Sequence, residues 1–144
     1  MQRQYTSDEE VAALVRSFEN ATISRDEWKH PEHLVVALHY LTRHDLDTAI
    51  DKMRSGIHNL LVNGYGVNLK VEMPYHETIT VFWMRTISAF IASAGEPQSI
   101  PGRIAKMIAR FDKDYPLLFY TRELLFSDEA RARFVEPDIR QLFD

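Results

Sequence analysis

Ile79-Thr-Val-Phe-Trp-Met-Arg-Thr-Ile-Ser-Ala-Phe-Ile91 is a long stretch in which apolar residues recur with the period of an α-helix. Ile79, Trp83, Ile87 and Phe90 continue to Ala94 as one stripe, and the neighbouring Phe82 and Ile91 widen it. An apolar surface of more than half the helix circumference cannot face water, so such a helix has to be covered by others. The stretch therefore predicts a central, buried helix that follows Pro74 and ends at Gly95.

Three more helices are predicted on the N-terminal side of this stretch. Ser7 and Glu10 have the spacing of a capping box. Pro31 suits the first position of a helix, where a missing backbone donor costs nothing. Asp45 or Asp47 can cap the next one, since an aspartate oxygen accepts from backbone N–H groups that the first turn leaves free. The first two predicted helices cover about 8–18 and 31–42, and the third runs from whichever aspartate caps it up to Gly64.

The remaining segments predict one further amphipathic helix and several short elements. The stretch 63–73 is rich in Gly and Asn and is interpreted as a loop. The pattern gives a fifth helix at about 101–112, helical pieces at about 117–125 and 129–134, and an extended end whose Val135, Ile139, Leu142 and Phe143 cover the core. We see no convincing strand. The whole chain, 1–144, is thus predicted to be a single-domain all-α bundle of about five to six helices.

The composition limits the kinds of chemistry that this chain can perform. With 144 residues and 45% hydrophobic residues it is long enough to bury a core without cross-links. It has no cysteine, which excludes disulfides, thiolate nucleophiles and thiolate metal ligands. No apolar run approaches the about 18 residues of a membrane span, and the start does not resemble a signal peptide. We therefore expect a cytoplasmic protein with no membrane partner.

The charge distribution argues against a nucleic-acid partner. The net charge is −4, and neither half of the chain has the excess of basic residues that a phosphate-binding surface requires. The fifth predicted helix does carry a basic face opposite its apolar stripe, formed by Arg103, Lys106, Arg110 and Lys113. We interpret this face as solvated, and at most as a contact for an anion or a partner.

Two histidines at the start of the second helix suggest a metal site. His30 and His33 are three residues apart, which places them about 60° apart on one helical face. A third ligand would come from His76 at the start of the central helix, if the two helix starts meet in the bundle. Imidazole suits a divalent transition metal such as zinc, iron or manganese. With His76 as the ligand, the adjacent Glu77 would be the catalytic proton-transfer group; in the alternative, Glu77 is the third ligand and His76 is the group beside the metal.

Two other interpretations of the same residues stay open. A histidine at a helix start is commonly a cap or a surface residue, and His30 precedes a proline that holds its backbone extended. Glu77 in a first turn is favoured by the helix dipole without any chemistry. The second alternative is a polar pocket that binds a ligand without a metal.

A small-molecule site is the alternative to a small enzyme or metalloprotein. Aromatic walls with a few convergent polar groups are typical of such sites. In this second hypothesis the protein is a non-catalytic binding or interaction domain whose partner is a small molecule or another protein, including a second copy of itself as a homodimer. The predicted ligand-binding residues are Trp28, Tyr40, His58, Tyr75, Thr78, Thr80 and Trp83.

The chain also resembles a family of small bacterial proteins of unknown function. The resemblance covers about Trp28 to Asp138, and four motifs carry it: Trp28-Lys-His-Pro-Glu-His-Leu34, Tyr75-His-Glu-Thr-Ile-Thr80, Leu125-Phe-Ser-Asp-Glu-Ala-Arg131 and Glu136-Pro-Asp138. It implies an all-helical fold and no particular activity. It also implies that the family's characteristic polar positions are His30, His33, His76, Glu77, Thr78 and Thr80.

Overall fold

The computed structural model describes residues 4–72, 74–93 and 100–142, and within them the chain forms seven α-helices. The prediction of an all-α single domain is confirmed, but the helix number is above the predicted five to six, because both C-terminal pieces contain a short α-helix of their own. The helices are α1 (Asp8–Glu19), α2 (His30–Leu41), α3 (Leu46–Asn59), α4 (Glu77–Ser93), α5 (Ile100–Arg110), α6 (Arg122–Leu125) and α7 (Asp128–Ala132).

The first three helices begin where local capping chemistry predicts. The Ser7 hydroxyl accepts from the Glu10 N–H, and the Asp45 carboxylate accepts from the Thr48 N–H. Pro31 is the second residue of α2, so that helix begins one residue earlier than predicted, at His30. Buried apolar side chains on α1, including Phe18, face α2 and α3.

Helix α3 continues into a π-helical turn, Leu60–Gly64, before the chain leaves for the loop. Gly64 is required there because a Cβ would lie only 2.8 Å from the Ala21 carbonyl oxygen. In the segment predicted as a loop, the described residues after this turn form turns and no strand; Met73 lies outside the described residues.

Helix α4 is the centre of the bundle, as the apolar stretch predicts. It packs against α2, α3 and α7, and its buried side chains lie on more than one face. It starts at Glu77 rather than directly after Pro74, since Tyr75 and His76 are not helical. The predicted helix end at Ala94 and Gly95 lies outside the described residues.

The C-terminal region departs most from the prediction. The piece predicted at about 117–125 divides into a 3-10 helix, Tyr115–Leu118, and the short α6, with a break at which the Thr121 hydroxyl caps α6. The tail then lies along α4: the Thr78 hydroxyl donates to the Arg133 carbonyl and accepts from the Val135 N–H.

The tail covers the core, but not with every residue that the pattern predicts. Val135 and Leu142 pack against the core. Ile139 is 53% exposed although its backbone N–H donates to the Phe119 carbonyl. Phe143 lies outside the described residues. Within the described part of the chain, no helix combines the length and the apolar character needed to cross a membrane.

Candidate functional site

His30 is held by contacts with the residue that follows α5 and with the middle of α4. A carbonyl oxygen can only accept, so the His30 Nε2–H donates to the Phe111 carbonyl, at 2.8 Å. The His30 ring lies against Trp83, with centroids 5.0 Å apart. This contact joins the start of α2 to the end of α5 and the middle of α4.

His33 packs on an aromatic pair instead of facing a metal. Its ring centroid is 4.0 Å from that of Trp28, which in turn stacks on Phe18. Its Nδ1–H donates to the Lys29 carbonyl at 2.8 Å. Burial of the ring lowers the pKa of His33 to about 4. The hydrogen bond to Lys29 raises this pKa, but by less than burial lowers it. His33 is therefore neutral at physiological pH and fixes the turn before α2.

His76 uses both ring nitrogens in hydrogen bonds to the backbone. Nδ1 accepts from the Ile79 N–H at 3.1 Å, which caps α4, and Nε2–H donates to the Leu125 carbonyl at 2.5 Å. Burial lowers the pKa of His76, and the hydrogen bond to Leu125 opposes that effect. Both ring nitrogens are therefore hydrogen-bonded, one as an acceptor and the other as a donor.

The predicted metal centre is not assembled. Among the described residues, which include His30, His33, His76 and Glu77, there is no group of three or more His, Asp or Glu side chains placed to hold a metal ion. The physical reason is that the histidines at the two helix starts are engaged by aromatic rings and backbone carbonyls of other segments. His30 bonds to the end of α5 and His76 bonds to α6, in different directions.

Glu77 is the centre of a polar cluster that the sequence indicated only in part. Arg54 on α3 binds both of its carboxylate oxygens, at 2.9 and 2.5 Å, and the Tyr75 hydroxyl donates to it at 2.5 Å. The hydrogen bonds from Arg54 lower the pKa of Glu77, while burial raises that of Tyr75. A carboxylate bound in this way is stabilised as an anion. This supports a structural role for Glu77 rather than the predicted catalytic one.

The other members of this cluster also serve structure. The His58 ring packs against Tyr75, with centroids 4.5 Å apart. The Thr80 hydroxyl donates at 3.0 Å to the carbonyl of His76, the residue before α4. Arg54 also binds Asp51 at 2.9 Å. Arg54 was missed by sequence reasoning, because its position on a helix with an apolar stripe does not indicate which carboxylate it binds.

The seven predicted ligand-binding residues do not line one pocket. Tyr75, His58 and Thr80 belong to the Glu77 cluster, and the Thr78 hydroxyl binds the tail. The Tyr40 hydroxyl donates to Glu19 at 2.8 Å. The remaining two, Trp28 and Trp83, lie near different clefts. The separation arises because the residues face different neighbouring helices.

Trp28 lines a cleft of about 230 Å³ between the turn before α2 and the loop after the π-helical turn. The Arg25 guanidinium lies over the Tyr65 ring there, at 5.0 Å from its centroid. No buried polar atom without a partner is found among the described residues of this cleft, which are Arg25, Trp28, Leu61, Tyr65, Val67, Glu72 and Pro74.

A second cleft lies beside Trp83, and we call it the aromatic cleft. It has a volume of about 220 Å³ and is lined by Thr86, Ala89, Phe90, Ser93, Arg110, Phe111, Tyr115 and Leu142. The Trp83 ring stacks on Tyr115 at 5.9 Å and meets the edge of Phe111 at 6.1 Å, directly behind its wall. The Thr86 hydroxyl is buried and has no hydrogen-bond partner among the residues that the structure describes.

The aromatic cleft was missed by sequence reasoning, although a signal existed. Thr86 is a polar residue inside the most apolar helix, three positions after Trp83 and therefore close to the same face. The residues that face Thr86 across the cleft include Arg110 of α5 and Tyr115 of the 3-10 helix, and periodicity alone does not predict where these elements pack.

No protein family, curated protein or solved structure matches the chain.

Proposed function

We propose that this chain is a non-catalytic small-molecule-binding domain whose ligand occupies the aromatic cleft. The observation that supports this most is the Thr86 hydroxyl, which is buried in the wall of the cleft without a partner. A buried polar group left unpaired costs about 1–3 kcal/mol. A ligand with a hydrogen-bonding group opposite Thr86 would remove that cost on binding.

The walls of the aromatic cleft indicate the chemical class of the ligand. Phe90, Phe111 and Tyr115 supply flat apolar surface, which favours an aromatic ring. Arg110 stands at the rim, with its guanidinium 5.1 Å from the centroid of the Phe111 ring. A volume of about 220 Å³ suits a single ring with small substituents. We therefore propose a small aromatic carboxylate, with its charge toward Arg110.

The lining residues support binding rather than catalysis. The described lining of the aromatic cleft contains no His, Asp or Glu that could act as a general base. The groups predicted for chemistry elsewhere are engaged: Glu77 by Arg54, and His76 by two backbone groups. The side chains named at the starts of α2 and α4 then serve as caps and anchors, in accordance with the second hypothesis from the sequence.

Trp83 offers a direct test of binding. The chain has two tryptophans, so Trp28→Phe leaves Trp83, which stacks on Tyr115 of the cleft wall, as the only tryptophan, and excitation that tyrosine does not absorb then reports on it alone. We expect benzoate and hydroxybenzoates to change its fluorescence in a saturable way. In the same background, Thr86→Val should weaken binding of the best ligand by about tenfold, the usual effect of losing one hydrogen bond.

The matched control is Thr80→Val, the same substitution on the same helix. Its hydroxyl binds the His76 carbonyl and does not line the aromatic cleft, so ligand affinity should stay unchanged. Thr86→Val should also leave the unfolding free energy equal or higher, since it removes an unpaired buried hydroxyl. The proposal is wrong if the aromatic acids leave Trp83 emission unchanged, or if both threonine variants bind them equally well.

Location and assembly are further parts of the proposal. A chain without cysteine gains nothing from an oxidising compartment, which supports the cytoplasm as its place of action. A homodimer stays a prediction, and sedimentation at several protein concentrations would test it.

A further inference from the structure

A small cavity between α1, α2 and α5 is separate from the aromatic cleft. Its volume is about 80 Å³. Its apolar wall consists of buried aliphatic side chains from all three helices, and its polar wall comes from the end of α2 and the start of α5. The lining residues are Val11, Val35, Leu38, His39, Thr42, Arg43, Arg103 and Ile104.

Two of the lining residues each carry a buried polar atom that has no hydrogen-bond partner in the described part of the chain. These atoms are Nδ1 of His39 and Nε of Arg103. The Arg103 Nε–H can only donate, and His39 Nδ1 donates when it carries the proton. Buried polar groups are nearly always paired, so two unpaired ones in the same cavity indicate an acceptor that binds between them. Both atoms would be satisfied by an oxygen in the cavity.

The charge around the cavity favours an anion over a neutral acceptor. Arg103 and Arg43 both line it, and its described lining includes no carboxylate. Arg43 is oriented by its own bonds to the His39 carbonyl and the Thr42 hydroxyl, at the rim. No ion pair of Arg103 is found within the described part of the chain. Water would fill the space but would leave this positive charge uncompensated.

We propose that this cavity is a binding site for a short-chain carboxylate of about the size of acetate or propionate. The carboxylate accepts from Arg103 Nε–H and from His39 Nδ1–H, and the alkyl group packs against Val35, Leu38 and Ile104. Charge-assisted hydrogen bonds of this kind are roughly twice as strong as neutral ones. The apolar wall then selects an organic acid over an inorganic anion, which has no group to place there.

The titration of His39 provides a readout specific to this site. Burial lowers the pKa of His39; Arg43 and His44 lower it further, while Glu19 on α1 raises it. Arg103 adds positive charge at the same wall. A bound carboxylate stabilises the imidazolium, so the His39 pKa should rise when the site is filled. A purely structural role of the cavity would leave this pKa independent of added carboxylate.

The test is a titration of the full chain with propionate and, in parallel, with uncharged propanamide, followed by NMR of the His39 ring and the α5 amides. We expect propionate to bind and to raise the His39 pKa, and propanamide to bind at least about tenfold more weakly. Arg103→Gln should reduce propionate affinity by about tenfold or more. Lys106→Gln, an equal charge change at an exposed position one turn further along α5, should not.

Each other outcome overturns the proposal. If propionate shifts neither His39 nor α5, the cavity holds water alone. If propanamide binds as tightly as propionate, the site does not recognise an anion. If inorganic anions such as nitrate bind as well as propionate, the apolar wall makes no contribution. Should Arg103→Gln fail to fold, Arg103→Lys keeps the charge but removes Nε–H, and an affinity equal to wild type would exclude the assigned contact. None of these results depends on the aromatic cleft.

Discussion

At the scale of single residues, the same imidazole chemistry has different uses in this protein. His76 accepts from Ile79 through Nδ1 and donates to Leu125 through Nε2, which requires the neutral ring. His30 uses one nitrogen to reach Phe111, and His33 uses its ring face to cover Trp28. His30 and His76 form hydrogen bonds with backbone groups, and His33 covers an aromatic surface. The three histidines of these motifs therefore each have a structural contact with the backbone or with an aromatic ring.

Replacing His76 should separate its two functions. His76→Ala removes the cap of α4 and the donor to Leu125, and we expect a loss of about 2–3 kcal/mol of unfolding free energy. Asn is a good capping residue but does not reach Leu125, so His76→Asn should lose about half as much. Urea unfolding of the two variants checks this. Equal losses for Ala and Asn would show that the Ile79 cap contributes nothing.

At the scale of the elements, the close approach of α1 and α3 depends on one glycine. A Cβ at Gly56 would clash with the ring of Phe18, which is 0% exposed and stacks on Trp28. Phe18 also lies 6.5 Å from Tyr40 on α2, so α1, α2 and α3 meet around this ring. Gly56 thus sets the spacing of three helices, although glycine is a poor residue for a helix interior.

Gly56→Ala should therefore destabilise the protein despite its better helix propensity. The propensity gain is up to about 1 kcal/mol, while overpacking a buried ring costs about 1–3 kcal/mol, so a net loss is expected. Thermal unfolding measures it. The neighbouring Ser55→Ala, at an exposed position of the same helix, is the control and should be neutral or slightly stabilising. An increase in melting temperature for Gly56→Ala would contradict the packing argument.

At the scale of the whole molecule, three histidines in different regions are all shifted in the same direction. Burial lowers the pKa of His33, His39 and His76, and that of His33 reaches about 4. In the unfolded chain a histidine has its ordinary pKa of 6.5. Between these pH values the unfolded state binds more protons than the folded state, so stability falls as the pH falls. The folded state is then sensitive to mild acid at both ends of α2 and at the start of α4.

We expect the urea midpoint to stay nearly constant above about pH 7 and to decrease steadily from about pH 6.5 toward pH 4. His33→Gln should reduce this decrease, since one neutral buried ring no longer has to be protonated. Ser55→Ala, at an exposed position of α3 and without a titratable group, should leave the pH profile close to wild type. A midpoint that rises as the pH falls from about 6.5 to 5 would exclude this linkage.

The tail shows why the site could be predicted only in part. The sequence named Thr78 as a polar position of α4, but its hydroxyl binds Arg133 and Val135, more than fifty residues away. In the Glu77 cluster, Tyr75 and His58 were named and Arg54 was not. Residue type and helical face are local properties and were predictable. The partner of each side chain depends on which helices pack together.

The sequence by itself determined the helices, because periodicity and capping are local. Residues 79–91 indicated the central α4, and Ser7 and Asp45 marked the starts of α1 and α3. Only the tertiary structure decided the functional candidates. His30 bonds to a carbonyl 81 residues away, and both the aromatic cleft and the His39–Arg103 cavity have walls from several helices. Such spaces exist only after packing, since no single helix encloses a volume.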